Sequence, residues 1–166
     1  MPAANGWRWN MPSSPPSDPG LDERLQLLVN SYRRLTGREL IKQAPQDIAA
    51  LRLALWDAPC AIVAHGTEDD PVFFYGNRLT LQLFEMDFAA FTSLPSRFSA
   101  EPLEQAARAR LLERVTQQGY VDDYSGVRIA RSGRRFRINA ATVWSLIDEA
   151  GNYCGQAATF SDWQQP

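Results

Sequence analysis

Three strand-like segments close the chain, Val121 to Arg131, Arg135 to Ile147 and Tyr153 to Phe160, joined by turn sequences built on "SG" and "DEAGN". Links this short join antiparallel neighbours, because a parallel crossover needs roughly a dozen residues. The chain therefore ends in an antiparallel meander, and the rest of the molecule has to cover it. In the middle segment Phe136, Ile138, Ala140, Thr142, Trp144 and Leu146 alternate, which predicts one nearly continuous apolar face. A two-residue turn at Ser132 and Gly133 sets Arg131 against Arg134, Ile129 opposite Phe136 and Val127 opposite Ile138.

That register turns Arg135 and Arg137 of "SGRRFR" outward and puts Arg128 directly opposite Arg137. Like charges facing each other disfavour the pairing by about a few tenths of a kcal/mol unless an anion lies between them. The internal candidates are Asp122, Asp123, Asp148 or a glutamate of the preceding helices, and the external ones are a phosphate, a carboxylate or a nucleic-acid backbone. Surface arginines ordinarily stay solvated or pair loosely, which favours the internal or solvated reading.

Ahead of the meander, Leu21, Leu25, Leu28, Tyr32 and Leu35 form the apolar stripe of a helix over Leu21 to Leu40, with Gly37 as a stop. The repeat is too short for an independent coiled coil and predicts packing on its own domain rather than dimerisation. A second helix runs from Pro45 to Trp56 with Ile48, Leu51 and Leu55 on one side. "CAIVAH" (Cys60 to His65) and "PVFFY" (Pro71 to Tyr75) read as a hairpin across "GTEDD". Asn77 and Asp87 are placed to cap two short helices, and Ser99 to cap a longer one carrying Leu103, Ala107, Leu111 and Val115 until Gly119 ends it. Runs of like elements replace βαβ alternation, so the fold class is α+β.

Among the 166 residues, Lys and Arg number 17 against 19 Asp and Glu, a net charge of -2 that gives no overall attraction for nucleic acid. One histidine and two distant cysteines, Cys60 and Cys154, make a zinc site improbable and fit reduced thiols in a cytoplasmic protein. The first twenty residues hold five prolines and read as a disordered leader, with Trp7 and Trp9 inside it, followed by a single domain over 21–163. No segment approaches the roughly 18 apolar residues of a membrane helix.

The element order, five strands split two and three around a helical insert, resembles the Per-Arnt-Sim (PAS) fold. That resemblance implies an antiparallel sheet of order 2-1-5-4-3 with the insert on one face. The "N" of "YGNRLTLQLF" is similar to the asparagine that opens the first insert helix in many PAS domains. A closer resemblance, to the PAS-like MEKHLA domain family, is carried by "LLVNSYRRLTGREL", "AHGTEDDPVFFYGNR", "LPSRFSAEP", "RLLERVTQQGYVDDYSGVRIARSGRRFRI" and "ATVWSLIDEAGNYCGQAATF". It implies sensing of light, oxygen or redox state. The family also ends plant homeodomain-leucine-zipper transcription factors, but this sequence carries neither of those modules, so DNA binding is not implied. Phe98, Gly76 and the absence of a literal "MEKHLA" string are small departures.

As catalytic chemistry the sequence offers one alternative, His65 and Asp70 as an acid/base pair in a small α+β enzyme. As a sensor it needs space over the sheet, which the small side chains of "CGQAATF" would leave. Neither cysteine lies in the insert motif of the flavin-adduct type of PAS domain, and His65 is on a strand end rather than an insert helix, so covalent flavin and haem are not expected. A small organic ligand, a noncovalent flavin and a filled core all fit. The expected ligand or polar-network residues are His65, Asn77, Ser96, Arg97, Tyr124, Arg128, Arg137 and Trp144. A protein partner or second copy is expected to meet the first helix.

Overall fold

The structure is a computed structural model and describes residues 14–100 and 102–165, with nothing described of the side chains of 102–104. Trp7 and Trp9 lie outside the described residues. Pro19 and Gly20, assigned to the leader from sequence, already form the first turn of helix α1 (Pro19–Thr36), and Asp18 caps it by accepting from Gly20 N at 3.1 Å.

Helix α2 (Ile48–Trp56) follows, then strands β1 (Ala61–His65) and β2 (Phe73–Gly76). The insert comprises α3 (Arg78–Phe84), α4 (Phe88–Phe91), a 3-10 turn over Ser96–Ser99 and α5 (Pro102–Gln118). Strands β3 (Tyr120–Ile129), β4 (Arg135–Ile147) and β5 (Tyr153–Phe160) complete the sheet in the order β2-β1-β5-β4-β3, as the resemblance implies. A short strand β6 (Asp162–Gln164), too brief to carry a pattern in the sequence, folds back on β4 and sets Trp163 against Ile138.

Asn77 and Asp87 cap α3 and α4 as expected. Two other starts differ. Asp47, not Pro45, opens α2, because its carboxylate accepts from Ala50 N at 3.0 Å. Ser99 belongs to the 3-10 turn, where its hydroxyl donates to Ser96 O at 2.7 Å, and α5 begins three residues later at a proline. The buried stripe of α5 is Arg108, Leu111 and Val115, whereas Ala107 is exposed. Leu111 and Val115 are thus buried as expected, and Arg108 takes the inward position, one turn earlier, expected of Ala107.

β4 does not keep one apolar face along its length. Ala140 has φ 50°, a left-handed kink that shifts the alternation by one residue. Phe136, Ile138, Ala141 and Val143 face the insert, while Trp144 and Leu146 face α1 on the opposite side. Leu21, Leu25, Leu28 and Tyr32 bury the α1 stripe there, so this helix does pack on its own domain. Trp144 Nε1 donates to Leu28 O at 3.3 Å with Tyr32 edge-on at 4.9 Å, and Ser31 Oγ donates to Ile147 O at 3.2 Å.

The β3–β4 turn also differs from expectation. Ala130 N donates to Arg134 O at 2.8 Å and Gly133 N to Ala130 O at 2.9 Å, which closes a three-residue loop with Gly133 at φ 89°. The extra residue moves the register by one. Arg128 pairs with Phe136, Val127 with Arg137 and Ile129 with Arg135. The expected Arg128–Arg137 opposition is therefore absent and needs no anion; Asp122 instead meets Arg38 at 3.6 Å, and Asp148 accepts from Asn152 N at 2.8 Å. The loop docks on the end of α3, where Arg131 N donates to Phe84 O at 3.0 Å and Arg134 Nη2 to Leu83 O at 2.7 Å.

Candidate functional site

The insert leaves a cavity of about 60 Å³ over the sheet. Its walls are mostly apolar, supplied by residues such as Val63, Phe73, Leu111, Ile138, Val143 and Phe160. Against them stand His65, Ser99, Arg108, Tyr124, Arg128 and Gln156.

The strand pattern explains why these polar groups meet. His65 ends β1 directly opposite Gln156 on β5, and both point to the covered face. His65 Nδ1 bonds the Gly66 carbonyl at 2.9 Å, and among the described residues Nε2 has no partner on a residue only 5% exposed. Burial holds this imidazole below its ordinary value; the Gly66 carbonyl and Glu68 oppose the shift and Arg108 adds to it. A neutral ring whose Nδ1–H donates presents Nε2 as a bare acceptor. Gln156 donates through Nε2 to Leu112 O and Thr116 Oγ1, each at 2.9 Å, and its Oε1 is a second buried acceptor without a partner among the described residues.

The cavity is also lined by two cations. Arg128 donates through Nη1 to Val127 O at 3.0 Å and through Nη2 to Tyr124 Oη at 2.8 Å. Arg108, on α5, is equally buried, and burial together with the charge of Arg128 pushes its guanidinium down to about 10, still protonated at neutral pH. Among the described residues no carboxylate pairs with either arginine.

Of the residues singled out in the sequence, the fold brings His65, Tyr124 and Arg128 together at the cavity. Asn77 is buried but spent on structure: Oδ1 accepts from Ile62 N at 3.1 Å and Thr80 N at 3.2 Å, and Nδ2 donates to Leu55 O at 3.1 Å and Cys60 O at 2.8 Å. Ser96 is buried with an unpartnered hydroxyl outside the cavity lining. Arg97 is half exposed and pairs with Asp70 at 3.1 Å, while the groups that act on His65 are Gly66, Arg108 and Glu68, so the alternative acid/base pair of His65 and Asp70 is not assembled. Arg137 is exposed on the outer face, and Trp144 packs on the α1 side.

Arg108, Gln156 and Ser99 are cavity residues that sequence reasoning passed over. Arg108 had a signal, since it sits three and seven residues before Leu111 and Val115 and so shares the face that these two make apolar. Neither Cys60 nor Cys154 lines the cavity, and among the described residues no cluster of His, Cys, Asp and Glu could hold a metal ion.

Solved structures share this fold. The PAS domain of a protein from Colwellia psychrerythraea superposes with a TM-score of 0.56 at 14% identity, covering 68% of this chain and 91% of that one. The light-state dimer of the fungal blue-light photoreceptor Vivid gives 0.56 at 15% identity, covering 87% and 95%. Among curated proteins, the homeobox-leucine zipper protein HOX9 of Oryza sativa subsp. indica is 28% identical over 136 residues, 82% of this chain and 16% of HOX9. ATHB-9 of Arabidopsis thaliana is 26% identical over 153 residues, 89% of this chain and 18% of that protein. The chain thus spans about a sixth of the length of these relatives. Residues 22–165 match the MEKHLA domain family, so this α+β chain, with its PAS-like sheet, belongs to that family.

Proposed function

We propose that the domain is a sensory module that binds a small molecule in the cavity between sheet and insert and has no catalysis of its own. The observation that carries this reading is the pair of buried, unpartnered acceptors, His65 Nε2 and Gln156 Oε1, facing each other across β1 and β5 at that cavity. Buried polar atoms without a partner are costly, and a bound molecule would supply the missing bonds. At about 60 Å³ the space is well below the roughly 300 Å³ at which pockets for drug-sized ligands begin, so the ligand is small and not a flavin.

Output runs through β4. Val143 lines the cavity and the next residue, Trp144, holds α1 through Leu28. A ligand that favours one setting of β4 would bias the seating of α1, which presents its polar side to a protein partner or a second copy in the cytoplasm. The light-state dimer formed by Vivid is one precedent for such an output. Binding to nucleic acid is not part of this reading.

Native mass spectrometry and absorbance of the purified protein test it. A colourless protein carrying a small bound mass, or one stabilised by a member of a metabolite panel, is the expected result. A protein with no bound mass and no thermal response would leave a pure interaction module.

A further inference from the structure

Two buried arginines and two buried acceptors define a ligand more narrowly than the cavity volume does. Arg108 and Arg128 are 9% and 8% exposed, come from α5 and β3, and have no carboxylate partner among the described residues. Two like charges brought together out of water are unfavourable unless an anion joins them. The cavity acceptors His65 Nε2 and Gln156 Oε1 can only accept. A ligand that satisfies both sets of groups carries a negative group and a hydrogen-bond donor.

We propose that the cavity takes a short hydroxycarboxylate, its carboxylate on Arg108 and Arg128 and its hydroxyl at the His65–Gln156 edge, a reading that rests on the ligand-binding role proposed above. Apart from Ser99 and Tyr124 the remaining walls are apolar and fit a short carbon chain, which disfavours inorganic phosphate, polar on every side. A donor in the form of an ammonium group is disfavoured by the two guanidinium charges. At roughly 10–15 Å³ per water-sized atom the cavity holds about four to six non-hydrogen atoms, the size of glycolate or lactate.

The test is calorimetric titration of the whole chain in carboxylate-free buffer with glycolate, L-lactate, propionate, propane-1,2-diol and phosphate, alongside R108M and R137M variants. Glycolate or lactate should bind at least tenfold more tightly than the other three, lose that binding in R108M and keep it in R137M. R108M removes a buried charge that no carboxylate among the described residues pairs and should melt higher than the parent without ligand, which shows that it folds. Equal binding of propionate overturns the hydroxyl assignment, and equal binding of phosphate overturns the short organic chain. Equal binding of the diol overturns the anion while leaving a ligand cavity in place. No response to any probe overturns the proposal; if native mass spectra then show another bound mass the sensory reading survives, and if they show none it falls as well.

Discussion

Arg128 stands directly across from Phe136 in the β3–β4 ladder, which puts its guanidinium on the covered face of the sheet beside Tyr124 Oη at 2.8 Å. Strand neighbours that face each other share a side, so the register that buries Phe136 also buries Arg128. The cationic lining of the cavity follows from this pairing and from Arg108, which shares the buried face of α5 with Leu111 and Val115.

Gly126, two residues before Arg128, is the position that lets Tyr124 fold over the strand. A Cβ at Gly126 would lie 2.5 Å from Tyr124 Oη and 3.4 Å from Arg128 Nη1. Gly126→Ala is therefore expected to displace the phenol, weaken ligand binding at least tenfold and lower stability by only about 1 kcal/mol, since the ring can swing away. Thermal melts with and without ligand check this.

Gly155 has no such freedom. It has φ 129°, and an added Cβ would overlap the carbonyl oxygen of His65. Gly155→Ala should cost about 3 kcal/mol by separating β1 from β5, measured by urea unfolding.

Asn77 ties α2, β1 and α3 together through both ends of its amide. Asn77→Ala leaves several buried backbone groups without partners and should destabilise the domain by about 3 kcal/mol, whereas Asp87→Ala, an exposed cap, should cost about 1. The contrast between the two urea midpoints is the measurement.

His65 gives stability a pH dependence of defined sign. Its folded-state value lies below the ordinary 6.5, so between the two values the unfolded chain holds more protons. Stability should fall as pH drops below about 6.5, by at most ~1.4 kcal/mol per pH unit, until the folded ring itself protonates. Arg108 and Glu68 face the ring with opposite effects, and the Gly66 carbonyl favours its charged form. The lowered carboxylates of Asp22, Glu39 and Asp148 act in a separate window: their contribution is present above their ordinary values of 3.8, 4.5 and 3.8 and is lost as pH falls through the lower folded ones. His65→Asn should flatten the profile between pH 5 and 7 and leave the drop below it.

Much of the fold is legible in residue order. Asn77, Asp87 and the α1 stripe have local physical signatures, and β4 and β5 start and end where their patterns do. The site is harder to read because it depends on single-residue offsets. A two-residue turn at "SG" and a three-residue turn over "RSG" with a left-handed glycine fit the same letters, yet they send Arg128 to opposite faces. Ala140 shifts β4 by one without a glycine to mark it, which moves Trp144 from the expected face to the α1 side. Arg108 sits where an apolar residue would ordinarily be, and its meaning emerges only when β3 brings Arg128 beside it.

A crystal structure of the chain grown with glycolate as the sole carboxylate tests the central claim most directly. The account predicts ligand density in the cavity, with a carboxylate about 2.8 Å from guanidinium nitrogens of both Arg108 and Arg128 and a hydroxyl within hydrogen-bonding reach of His65 or Gln156. An empty cavity with both arginines unliganded, or density confined to the outer face around Arg137, would contradict it.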